Sequence, residues 1–199
     1  MSLPSSVLYF LTASSVALRK RAALCAACSY NFFHWMLDSM PKVLIAERCG
    51  FTGKYLIPAA RVSPIPREAM QILGIPPQRL AHMDYGLATA QEAWLPTHFF
   101  GEFMEDTPEV YAIYQAAIAA AAADVKVKST PRLFIDRPSG RVPRPVANPR
   151  EVSALLHAYG FTCVDMATLG LKEQIALAMQ ASAIVGPHGA GLTHIVWMP

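Results

Sequence analysis

From residue 131 onward the chain repeats one pattern three times: a short apolar run, a break, then an amphipathic segment. The runs "PRLFID" (131–136), "FTCVD" (161–165) and "AIVG" (183–186) have the length and composition of buried strands. "NPREVSALLHAYG" opens with Asn148 at the N-cap, Pro149 at N1 and Glu151 at N3, the spacing of a capping box. Val152, Leu155, Leu156 and Tyr159 share one apolar face, and Gly160 is the stop signal. "LKEQIALAMQAS" places Leu171, Ile175, Ala178 and Met179 on one side, and "GLTHIVWM" starts a third helix. Strand and helix in strict alternation predict right-handed βαβ units on a parallel sheet with both faces covered.

In such a sheet the carboxyl ends of the strands carry the ligand site. There the third strand runs into "GPHGAG", with Gly186, Gly189 and Gly191 around His188. A turn with few side chains, opening a helix whose first amides have no partner, suits a phosphate. Glycine also lets a ligand approach the backbone. The spacing is GxxGxG after the third strand, not GxGxxG after the first, which argues against a nicotinamide dinucleotide site. A tight connection with no ligand is the competing reading of the same residues. The loop after the first strand of this run is rich in Pro, Gly and Arg, and offers Arg137, Arg141 and Arg144 from the same sheet edge. Guanidinium forks suit a diphosphate, although each arginine read singly is a solvated loop charge.

The first half is less regular. "NFFHWMLDSMPKVLIAERCG" (31–50) has near-helical apolar spacing and a glycine stop, with Pro41 expected to kink or restart it. "KYLIP" reads as a strand, "PREAMQILG" as a short helix and "QEAWLP" as a strand. "TPEVYAIYQAAIAAAAAD" (107–124) reads as a helix capped by Thr107 with Pro108 at N1, joining two lobes that meet near residues 125–130. His34 and Asp38 stand four apart, so on a helix they share a face. A carboxylate beside an imidazole orients it and raises its basicity, as a general base requires; a capping or core histidine is the alternative. No DxD sequence occurs, so a carboxylate-held divalent cation has no obvious ligands. The expectation is metal independence, with a diphosphate neutralised by amides, arginine and histidine.

Composition bounds the rest. A chain of 199 residues with 53% hydrophobic and 16% charged residues can bury a core, and a net charge of +3 without a basic stripe gives no case for nucleic acid. Cys25 and Cys28 have CxxC spacing, but no second pair completes a zinc site, so they and Cys49 and Cys163 read as reduced structural thiols. The apolar stretch at residues 7–18 is interrupted by Thr12, Ser14 and Ser15 and is too short to span a bilayer. Arg19, Lys20 and Arg21 follow it, whereas a signal peptide carries its charge in front. A buried strand or helix in a soluble, cytoplasmic chain is expected, with peripheral membrane contact through the basic cluster left open.

"NFFHWMLDSMPKV", paired with "LKEQIALAMQASAIVGPHGAGLTHIVWMP" much later, resembles glycosyltransferase family 61 from about Asn31 onward. That group includes bacterial capsular polysaccharide biosynthesis proteins, plant xylosyl- and arabinosyltransferases, and eukaryotic O-linked N-acetylglucosaminyltransferases. The resemblance implies an α/β chain of GT-B type, two Rossmann-like lobes with parallel sheets: residues 1–125 on the acceptor side and 126–199 holding the nucleotide sugar. It implies donor contacts from Arg144, Asn148, Glu173, Gln174, Gly186, His188, Gly189, Ala190 and Gly191, with Pro145 where a second arginine is common. Asn31, His34, Trp35 and Asp38 match the acceptor-side motif. It further implies an inverting transfer, from a UDP-linked donor to a hydroxyl of a glycan or polysaccharide. The family has more chain before the first motif, and an acidic strand and closing helix after the last. The expectation is therefore a chain truncated at both ends, and the alternative function is a non-catalytic nucleotide-binding or scaffolding remnant.

Overall fold

The computed structural model of the protein describes residues 15–24, 31–58, 64–83, 87–94, 108–128, 130–136 and 146–199. Two all-parallel sheets emerge. The first contains β1 (Ser15–Leu24), β2 (Lys54–Pro58), β3 (Leu80–Met83) and β4 (Leu87–Trp94) in the order β3-β2-β1-β4. The second contains β5 (Arg132–Ile135), β6 (Thr162–Val164) and β7 (Ala183–Val185) in the order β6-β5-β7. Both orders reverse direction once, the first between β1 and β4, the second between β5 and β7. Such switch points open a crevice at the carboxyl ends of the strands. The alternating second half thus forms the parallel sheet its pattern predicts. In the first half, β4 outruns the "QEAWLP" stretch, and β3 carries no strong strand signal.

Between β1 and β2, the chain passes through a π-helical turn (His34–Ser39) and then α1 (Met40–Arg48). Pro41 is expected to kink or restart this helix, and a restart is what occurs: α1 begins at Met40 with Pro41 in its first turn, after the π-helical turn. Proline lacks an N–H and crowds the carbonyl four residues back. The wider turn upstream relieves that crowding: Met40 N–H donates to Trp35 O, five residues back, and the Ser39 hydroxyl donates to His34 O at 3.2 Å. Met36, Met40 and Val43 are fully buried along this helix.

α2 (Ile65–Ile72) leads from β2 to β3, and the edge beside it is pinned by one arginine. Arg79 gives Glu47 two hydrogen bonds, at 2.8 and 2.7 Å, and donates to the carbonyls of Phe51 and Gly53. Its guanidinium lies over the Phe51 and Tyr55 rings, and the Tyr55 hydroxyl donates to Glu47. The carboxylate holds the Arg79 pKa above its ordinary value.

α3 (Pro108–Ala122) packs against α1, α2, the helix at Leu171–Gln180 and the 3-10 helix at Ala190–Trp197. Tyr114, Ile118 and Ala122, four apart, are its buried stripe. Thr107, expected to cap it, lies outside the described residues. Leu171, Ile175, Ala176 and Ala178 of α5 (Leu171–Gln180) share that core with Tyr55, Met70 and Trp35. α4 (Pro149–Ala158) differs: none of its residues is buried, and Leu155 and Tyr159 are 59% and 64% exposed. Right-handed crossovers put α4 and α5 on opposite faces of the second sheet, so only the α5 face is thickly covered. Asn148 and Glu151 take their expected places at the N-cap and N3, but the capping box does not close. Asn148 Nδ2 donates to Glu151 Oε2 at 2.9 Å, and no side chain caps the backbone.

One polar contact also ties the halves. The Leu171 amide, first in α5, donates to Glu68 Oε2 of α2 at 2.6 Å, beside the Gly170 amide on Glu173 Oε2 at 2.9 Å. Two carboxylates thus satisfy the positive end of α5, one from each half. We expect Glu68→Ala to destabilise the protein by about 1 kcal/mol, read as a lower urea midpoint with unchanged slope.

Candidate functional site

The turn at residues 186–191 leaves the second sheet at its switch point, where the sequence places it, and two of its glycines pack closely on the neighbouring strand. A Cβ on Gly186 would meet Ile135 O at 3.1 Å, and one on Gly191 would meet Ile135 Cγ2 at 3.0 Å. At these two positions the neighbouring strand end leaves no room for a side chain. Gly189, with φ 155 and ψ −174, adopts backbone that is open essentially to glycine alone. The turn enters a 3-10 helix (Ala190–Trp197) whose Leu192 amide closes on Gly189 O at 2.9 Å. Among the described residues, none accepts a hydrogen bond from the amides of Ala190 and Gly191, the donors a helix start leaves over. His188 is exposed and makes no hydrogen bond to any described residue.

The other site residues fall around this edge. Glu173 caps α5, as above. Gln174 is 4% exposed and donates its amide protons to Met166 O and Leu169 O, each at 2.9 Å. Asn148 is exposed at the start of α4. Arg137, Arg141, Arg144 and Pro145 lie outside the described residues, as do Cys25 and Cys28. Of the other cysteines, Cys49 and Cys163 are free and exposed.

On the first sheet, the helix after β1 presents the second motif. Asn31 Oδ1 accepts the Phe33 amide at 2.9 Å, as an N-cap side chain does. His34 Nδ1 and Asp38 Oδ2 are 2.7 Å apart, with the imidazole half exposed. Since the carboxylate can only accept, Nδ1–H donates to it, and Nε2 is left as the basic atom. Trp35 is 1% exposed and sits inside the core with no partner for its indole nitrogen among the described residues.

The two motif-bearing elements touch. Phe32 stacks on His194 with ring centroids 4.8 Å apart and an interplanar angle of 14°. His194 is 2% exposed and packs edge-on against Trp197. Its Nδ1 lies 2.6 Å from Gly191 O and its Nε2 lies 2.9 Å from Gln174 Oε1. Sequence reading passed over this residue, because a lone histidine among apolar neighbours reads as part of a helix. Its partners Phe32 and Gln174 are remote in sequence, so no local signal marks it. Burial pushes the His194 pKa below its ordinary value, against the opposing pull of the Gly191 carbonyl.

Two outcomes follow from this geometry. Gly191→Ala must displace the stiff Ile135 side chain, and a loss of about 1–3 kcal/mol in chemical denaturation is expected. In the unfolded chain His194 binds a proton near pH 6.5, whereas in the fold it binds one only at lower pH. Stability is therefore full above that value and falls as pH drops through it, by at most about 1.4 kcal/mol per unit. Thermal melts between pH 7.5 and 5.5 should show a decline that His194→Asn flattens.

Among curated proteins none matches the chain. The family model described as Glycosyltransferase 61 matches residues 32–199, a span that begins at Phe32 and takes in the His34–Asp38 pair, Gln174, the glycine turn and His194. The chain belongs to the glycosyltransferase 61 family.

Proposed function

We propose that the protein transfers a sugar from a UDP-linked donor to an acceptor hydroxyl with inversion, in glycan or polysaccharide biosynthesis. The observation that carries this reading is the Phe32–His194 stack, which sets the helix bearing a histidine–carboxylate pair against the helix opened by the glycine turn. A base and an anion-binding edge from two different sheets are what a direct displacement needs. In this reading the two sheets are the lobes of a GT-B enzyme, residues 1–125 on the acceptor side and 126–199 on the donor side.

The chemistry is a single displacement. His34 Nε2 takes the acceptor hydroxyl proton while Asp38 holds Nδ1 and balances the charge that forms on the ring. The acceptor oxygen bonds to the anomeric carbon as the bond from that carbon to the phosphate oxygen breaks. The departing diphosphate gains negative charge, which His188, the amides of Gly189, Ala190 and Gly191, Arg137 and Arg144 stabilise. Asn148, Glu173 and Gln174 border or support this donor edge, and Asn31 and Trp35 hold the acceptor-side helix. No metal is assigned a part. Arg19, Lys20 and Arg21 lie on β1, and a peripheral contact with anionic lipid is compatible with that cluster. Among the described residues, no helix is long and apolar enough to cross a membrane.

Calorimetry with UDP tests the donor site: His188→Ala should weaken binding about tenfold, and equal affinity in the two proteins removes that histidine from the diphosphate. Transfer assays over a panel of UDP-sugars test the base. His34→Ala should lower kcat by about 10²–10⁴-fold with KM little changed, and an unchanged kcat rejects the assignment. Binding without turnover for any donor identifies a nucleotide-binding domain instead of a transferase.

A further inference from the structure

Both nitrogens of the buried His194 ring face oxygens. Gln174 spends its two amide protons on the carbonyls of Met166 and Leu169, so its orientation is fixed and only Oε1 is left for His194 Nε2. On the other side, Gly191 O can only accept from Nδ1. A neutral imidazole has one N–H and satisfies one of these oxygens; an imidazolium satisfies both. Burial resists that second proton, although both ring nitrogens face acceptors that an imidazolium would satisfy.

The Gly191 contact starts a chain of hydrogen bonds that ends at the turn. His194 Nδ1 meets the Gly191 carbonyl, whose peptide partner is the Leu192 amide. That amide donates to the Gly189 carbonyl, whose peptide partner is the Ala190 amide, which has no acceptor among the described residues. Hydrogen bonds in series polarise one another. A proton at the His194 end makes Ala190 a stronger donor, and an anion on Ala190 makes the Gly191 carbonyl a better acceptor for that proton.

Building on the proposed nucleotide-sugar site, we propose that a diphosphate bound at the Ala190 amide drives uptake of one solvent proton by His194, which becomes a buried cation linked to the anion through two peptide groups. By reciprocity, mild acidification tightens the donor complex. The ionisable groups on the elements around the ring are otherwise engaged or exposed. His34 pairs with Asp38, Glu173 caps Gly170, Lys172 and His188 are exposed, and α3 contributes the Tyr114 phenol. Burial and the Gly191 carbonyl are the influences on the His194 proton among the described residues.

The test is calorimetry of the full chain with UDP-glucose and UDP-N-acetylglucosamine, whose diphosphate diester has no group titrating near neutrality. Titrations at about pH 7 run in two buffers of different ionisation enthalpy. Uptake of about one proton per ligand in wild type and in His188→Ala, lost in His194→Asn, is the expected result. Nitrogen chemical shifts of the wild-type ring should move from neutral to doubly protonated on binding, a readout that requires no variant. Equal enthalpies in the two buffers overturn the coupling and leave the nucleotide reading standing. Uptake that vanishes in His188→Ala and survives in His194→Asn overturns it in favour of the surface histidine. The absence of binding heat with UDP and with every sugar nucleotide overturns the site reading itself, and the coupling with it.

Discussion

A flat aromatic ring holding a polar atom on each side is what the junction of the two sheets rests on. Remove His194 and four things lose a neighbour together: the Phe32 face, the Trp197 edge, the Gln174 amide and the Gly191 carbonyl. Two of those belong to the glycine-turn helix, one to α5, and one to the helix that opens after β1. Stacking supplies contact area, while the hydrogen bonds set the rotation of the ring. The turn and the histidine–carboxylate pair are therefore registered to each other by packing, not by a flexible linker. α3 and the Glu68 contact with the α5 terminus reinforce that registration at a distance from the site.

Much of the fold was legible because its signals are local. Strand lengths and helix punctuation in residues 131–199 each need only a window of about a dozen residues to read. The His34–Asp38 contact was legible for the same reason, since a four-residue step on a helix is a fixed distance. The position of the glycine turn was legible, but its close packing was not. Spacing identifies bare positions but not what fills the space beside them, and here that is Ile135, about fifty residues earlier. His194 was illegible: its partners Gln174 and Phe32 lie 20 and 162 positions away, and no sequence window holds them together.

At Pro41 the sequence signal held, since the helix changes from a widened turn to α1 there. Where local signals failed, tertiary context overrode propensity. The amphipathic pattern of α4 is as clear as that of α5, but its apolar residues Leu155 and Tyr159 stay exposed. A pattern of apolar residues states what a helix can bury; the size of the surface opposite decides how much it does.

The order of strands in the first sheet has a consequence for how the protein is made. β1 lies in the middle of that sheet, and its longest pairing is with β4, where Ser15 meets Leu87 and Ala23 meets Trp94. A ribosome delivers β1 well before its partner, and parallel pairing between segments this far apart is slow to form. During synthesis the central strand therefore waits with an open edge, sheltered at first only by β2. Nascent chains in that condition are the ones that holdase chaperones bind, and that crowding or rapid synthesis diverts into aggregates.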